Sequence, residues 1–125
     1  MTQESEEQYR LIVENSVLGI AWGTLDGRLL SANSTFCELL ESTLDELKGR
    51  HLNELVHPDD FGKMIVQFQQ LVKGEIDTYQ AEERYITRKN NIKWVKVNVT
   101  VSRNDSGEIK SVIAIVQDVS ERKQT

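Results

Sequence analysis

The chain has 125 residues, 15 Lys+Arg against 20 Asp+Glu for a net charge of −5, and a single cysteine. That length suits one domain able to bury its own core, and a lone Cys37 excludes an internal disulfide or a Cys-rich zinc site. The acidic balance works against nonspecific attraction to nucleic acid or anionic lipid. No apolar run approaches the roughly 18 residues of a membrane span, and the acidic start Met1-Thr2-Gln3-Glu4 is not signal-peptide chemistry, so a soluble cytoplasmic domain is expected.

Ser5 and Gln8 have capping-box spacing, and Tyr9, Ile12 and Val13 follow on one face, which predicts an amphipathic helix over 5–14. Leu18 to Leu25 reads as a strand, Asp26-Gly27 as the positive-φ pair of a tight hairpin turn, and Arg28 to Ala32 as the returning strand. Asn33 or Ser34 can cap a short helix carrying Phe36, Leu39 and Leu40. Thr43 and Glu46 form a second capping box stopped by Gly49, and Leu52, Leu55 and Val56 make a third apolar cluster. A longer helix begins at His57-Pro58-Asp59-Asp60, where proline suits the first position and acids suit the positive end of the dipole. Phe61, Met64, Ile65, Phe68, Leu71 and Val72 line one of its faces, and Gly74 ends it.

The rest is strand. Thr78 to Thr87 alternates loosely, and Asn90-Asn91 can turn the chain. Over 92–102 the period is two: Val95, Val97, Val99 and Val101 face one way, and Trp94, Lys96, Asn98, Thr100 and Ser102 the other. After a turn at Asn104-Asp105-Ser106-Gly107, Val112 to Val116 is apolar without alternation, which predicts a central strand buried on both faces. Asp118 to Lys123 reads as a helix beginning. The order predicts an α+β domain with one five-stranded antiparallel sheet and its helices on one face.

Six segments in this order resemble a PAS domain, the sensory module of bacterial signalling proteins. They are Ile12-Val13-Glu14-Asn15-Ser16 with Gly19-Ile20, Asp26 to Asn33, Leu44 to Arg50, His57-Pro58-Asp59-Asp60, Arg88 to Val95, and Asp118-Val119-Ser120-Glu121-Arg122-Lys123. The last resembles the Asp-Ile-Thr-Glu-Arg-Lys exit that joins such modules to downstream effectors. Asn90-Asn91 stands where Asp-Gly is usual, and Val119 and Ser120 where Ile and Thr are usual. The resemblance implies a PAS fold with an N-terminal helical cap over 1–16, a core over 17–119 and the start of a connector helix over 120–125.

It also implies a ligand pocket between sheet and long helix, for which Phe36, Leu55, Phe61, Ile65, Phe68, Tyr85, Val97 and Ile115 are candidate lining and Asn33 a candidate hydrogen-bonding group. A core filled by those same side chains is the competing expectation. Flavin light sensors of the family carry a cysteine at the position matching Leu52, so Cys37 argues against a cysteinyl-flavin adduct. Haem-binding members use a histidine on or just after the long helix, and 61–85 contains none. Noncovalent flavin stays open through Trp22, Trp94, Tyr85 and Asn33. His51 and His57, with Asp59 and Asp60, match no zinc spacing.

Enzymatic chemistry is not expected of the domain itself. There is no G-x-S-x-G elbow, phosphate-cradling Gly-rich loop or His-Glu-x-x-His, and the adjacent pairs Glu82-Glu83 and Asp59-Asp60 point apart. Asp118, Ser120 and Arg122 are candidate signal-relay residues, with a plain helix cap as the other role for Asp118. Tyr9, Ile12, Val13 and Trp94 are candidates for a homodimer interface. The expected function is a sensory and dimerisation module with a possible small-molecule ligand and an effector in the parent chain, first a sensor histidine kinase. The alternatives are a diguanylate cyclase or phosphodiesterase parent, and a free-standing small α+β ligand-binding protein or enzyme.

Overall fold

The computed structural model describes residues 18–123, with side chains through Glu121. The expected helix with Tyr9, Ile12 and Val13 and the side chain of Arg122 lie outside the described residues. In chain order the elements are β1 (Gly19–Gly23), β2 (Leu29–Ala32), α1 (Ser34–Leu39), α2 (Leu44–Leu47), a 3-10 turn (Leu52–Glu54), α3 (Pro58–Val72), β3 (Thr78–Ile86), β4 (Ile92–Arg103), β5 (Ile109–Asp118) and α4 (Ser120–Lys123). The strands form one antiparallel sheet of five in the order β2-β1-β5-β4-β3. Fold class and element order are thus as expected from the sequence.

Register assigns the two faces. Val97 pairs with Val116 and Ala81, Val99 with Ala114 and Tyr79, and Ala21 with Ala114, so these residues share the inner face beneath the helices. Ile20 pairs with Ile115 and Trp22 with Ile113, which places all four on the outer face. β5 is central, as expected, but it is not buried on both faces: Val112 and Val116 are buried while Ile115 is 36% exposed. The unbroken apolar run hid this asymmetry, because a run without alternation carries no face information.

The turn chemistry explains most element ends. His57 Nδ1 accepts the Asp59 N–H at the start of α3, ahead of Pro58, and Gly74 at φ +80° follows its last turn. Met64, Phe68 and Leu71 then bury one stripe against the core. Thr43 and Glu46 make the expected capping box, the Thr43 hydroxyl accepting the Glu46 N–H and donating to its carboxylate. The first hairpin is wider than a two-residue turn. Thr24 N–H donates to the Arg28 carbonyl, only Gly27 takes positive φ, and the Asp26 carboxylate is held by the Thr24 hydroxyl instead.

One segment ties both edges of the sheet. On the β2 side, Gly49 N–H donates to the Leu29 carbonyl and Leu52 N–H to the Gly27 carbonyl, at 2.8 and 2.9 Å. Three residues on from Leu52, the Leu55 carbonyl accepts the Ile86 N–H, and His57 N–H donates to the Arg84 carbonyl, both at 2.8 Å on the β3 edge. The helices and this strap enclose the core between them and the inner sheet face.

Candidate sensing cavity and exit junction

Side chains converge between α3 and the sheet without filling the space completely. Phe36 of α1, Leu52 and Leu55 of the strap, and Met64 and Phe68 of α3 face Tyr79, Tyr85 and Val99 around a cavity of about 60 Å³. Its sheet wall includes the small residues Ala21, Gly23 and Ala114, which leave the gap that the aromatic rings opposite do not reach. Phe36 and Tyr85 meet edge to face, 6.4 Å between centroids. Sites for drug-sized ligands run to roughly 300–1,000 Å³. A haem or a flavin ring system therefore does not fit the residues as they are arranged. Leu52, the position expected to match a photochemical cysteine, offers only hydrocarbon, and Cys37 lies on α1 packed partly against the core.

The sequence candidates divide accordingly. Phe36, Leu55, Phe68 and Tyr85 line the cavity. Val97 is buried in the core, and Phe61 and Ile65 pack partly buried against it, but none of the three borders the cavity. Ile115 is corrected: it sits on the outer face and lines nothing inside. Trp22 also belongs by register to the outer face, although it borders the cavity beside the bulge between Trp22 and Gly23.

Asn33 is 1% exposed, but it is a fastener and not a pocket wall. Its Oδ1 accepts the N–H groups of Ile20 and Phe36, and its Nδ2 donates to the Leu18 carbonyl, all at 3.0 Å. One side chain thus caps α1 and pins β1 to it. Both imidazoles are occupied similarly. His57 caps α3, and His51 bridges the Asn53 N–H and the Asp26 carbonyl.

Sequence reasoning missed Glu83. It is 5% exposed, on the inner face between Ala81 and Tyr85, and it lines the cavity. Burial pushes its carboxyl up to about 7, and the negative charge of Asp60 adds to the effect. The same burial, with Glu83 nearby, raises the Tyr79 and Tyr85 phenols further above their ordinary range. The parity of β3 could have found it. Tyr85 was expected to face inward, and every second residue back from it, Glu83 included, shares that face.

The second feature lies along the outer side of β3 and β4. Asp60 in the first turn of α3 accepts the Arg84 backbone N–H at 2.8 Å and binds the guanidinium twice more, through Nε at 3.0 Å and Nη2 at 2.9 Å. Those bonds hold the Asp60 carboxyl below its ordinary range. The Arg84 guanidinium lies 5.2 Å from the centroid of the Trp94 ring. Trp94 N–H in turn donates to Ser120 Oγ at 2.9 Å, and its carbonyl accepts the Val119 N–H at 2.9 Å. Asp118 Oδ1 accepts the Ser120 N–H, closing the turn into α4. Asp118 and Ser120 thus meet at the exit with Trp94, which lies on the outer face as expected.

These features can be set beside known proteins. A family profile described as PAS domain matches residues 17–121. The chain belongs to the PAS domain family. Over 122 residues it is 34% identical to the protein named Probable diguanylate cyclase DgcE of Escherichia coli strain K12, covering 98% of this chain and 11% of that one. It is 24% identical to the Sensor histidine kinase TmoS of Ectopseudomonas mendocina, covering 96% of this chain and 12% of that one. The chain therefore spans only about a tenth of each of these two relatives. In fold, the PAS domain of a Colwellia psychrerythraea protein superposes with a TM-score of 0.86 at 16% identity, covering 94% of this chain and 99% of that one. PAS domains are sensory modules without catalysis of their own, and none of the described helices is long and apolar enough to cross a membrane.

Proposed function

We propose that the chain is the sensory and dimerisation module of a larger bacterial signalling protein, and that the state of its interior reaches the output through α3, Arg84, Trp94 and α4. The series Asp60–Arg84–Trp94–Ser120 carries this reading. It joins the helix that roofs the cavity to the helix that leaves the domain through consecutive bonds and one ring contact. Movement of α3 by an occupant would pull on Arg84, and Trp94 would pass the strain to the α4 junction beside the last strand. Coupling of this kind needs an element with two arrangements, and α4 with its Asp118 turn is that element in this reading.

For the output, 34% identity to a protein named as a diguanylate cyclase supports a cyclase parent, and 24% identity to a sensor histidine kinase supports the kinase as the second reading. The outer strip of Ile20, Trp22, Ile113 and Ile115 offers an apolar face for a second copy. A monomeric mass at high micromolar concentration in light scattering would count against that part.

The test of the relay is Asp118→Ala in the full-length parent. The expected result is a folded module whose effector, read as cyclic-dinucleotide synthesis or autophosphorylation, no longer answers to the module. Effector regulation unchanged by the substitution would defeat the relay.

A further inference from the structure

Glu83 is an acid placed where nothing in the described structure answers its charge. Its side chain is 5% exposed and lines the cavity, and among the described residues no hydrogen bond or ion pair to its carboxylate is formed, although its oxygens are not wholly sealed from solvent. The other charged residue on the cavity wall, Arg28, has an exposed side chain directed to the Gly49 carbonyl and to Asp26. A carboxylate so little exposed and without a protein donor leaves its charge poorly answered and open to a partner of opposite charge.

The surroundings specify the partner's charge. Phe36, Phe68, Tyr79 and Tyr85 wall the cavity, and aromatic faces attract cations. Glu83 also borders a second cleft of about 140 Å³ at the edge of β3, lined by Asp59, Asp60, Lys63 and Glu82. In the same cleft Gln67 Oε1 is buried with no hydrogen-bond partner among the described residues, a second acceptor lacking a donor. Two acceptors without a protein donor and aromatic walls agree with one another, while of the cleft's acids Asp60 is already bound by Arg84 and Asp59 lies 4.0 Å from the same guanidinium. A bare inorganic cation would need roughly six oxygen ligands, and a wall of rings and aliphatic carbons does not supply them.

We propose that the cavity with its adjoining cleft is a binding site for a small organic cation, an alkylammonium of a few heavy atoms, with Glu83 as its counter-ion and Gln67 Oε1 as a second acceptor. This deepens the sensory reading above by naming the ligand class. The pairing offsets part of the cost of holding the Glu83 carboxyl charged where burial disfavours it.

Three probes of similar size test it on the 125-residue chain: ethylammonium, ethanol and acetate, titrated at constant ionic strength and mildly alkaline pH while amide shifts are followed by NMR. Ethylammonium is expected to give saturable shifts at Met64, Phe68, Glu83 and Val99, with ethanol about tenfold weaker and acetate silent. Glu83→Gln should weaken ethylammonium about tenfold and bring it level with ethanol. Ethanol binding as tightly as ethylammonium, undiminished ethylammonium binding in Glu83→Gln, or no saturable shift with ethylammonium would each overturn the proposal. If the variant does not fold, the ranking of the three probes on the unaltered chain decides alone. Because binding is read on this chain and relay on Asp118→Ala in the parent, a lost cation site and a lost relay are separable results.

Discussion

Replacing Glu83 by Gln removes a buried charge while keeping the side chain's shape, so its effect on stability should depend strongly on pH. In the unfolded chain the carboxyl titrates at its ordinary 4.5, and in the folded chain at about 7. Below 4.5 both states hold the proton and the acid costs nothing. As pH rises from 4.5 toward 7 the unfolded chain releases its proton first, so stability falls, and above about 7 the full penalty is present. At about 1.4 kcal/mol per pH unit the gap amounts to about 3 kcal/mol. Glu83→Gln should therefore match the unaltered chain near pH 4 and exceed it by about 3 kcal/mol at about pH 8.5. That is a rise of roughly 10 °C in melting temperature for a domain of this size. Urea unfolding of both chains across this range measures it. An equal difference at both ends of the range, or a variant less stable at alkaline pH, would show that the carboxylate has a partner and refute the argument.

Other substitutions probe the fasteners. Asn33→Ala deletes the bonds to Leu18, Ile20 and Phe36 together and should cost about 2–4 kcal/mol in denaturant unfolding. Gly27→Ala meets a φ of +90° and puts a Cβ 3.0 Å from His51 Nε2, so a loss of about 1–3 kcal/mol is expected, reduced in a His51→Ala background. A double-mutant cycle on Asp60→Ala and Arg84→Ala should return a coupling of about 1–2 kcal/mol, and a coupling indistinguishable from zero would remove the first link of the relay.

The fold was legible because its signals are local. Asn33, Thr43, His57 and Gly74 mark helix ends through chemistry that acts over three or four residues, and the valines of 95–101 declare their face by alternation. The site was less legible because it depends on pairing across the chain. Ile115 could not be assigned a face until β5 was registered against β1 and Ile20. In sequence Glu83 reads only as half of an adjacent acidic pair, and Glu82 and Glu83 do point apart, but that divergence is what sends Glu83 inward. The series through Arg84 and Trp94 joins residues 60, 84, 94 and 120, and no sequence spacing encodes such a contact.

The strap between the sheet edges limits what the interior can admit. From Leu52 N–H, bonded to Gly27, to the Leu55 carbonyl, bonded to Ile86, the chain advances as a 3-10 turn at about 2 Å per residue, so with its two hydrogen bonds it reaches about 12 Å. Gly27 belongs to the β1–β2 turn and Ile86 to the end of β3, so this short tether holds the hairpin tip close to the far edge strand, with Leu52 and Leu55 lining the cavity between them. A guest that pushed the hairpin tip and the β3 edge apart would first have to break a backbone hydrogen bond at one end of the tether.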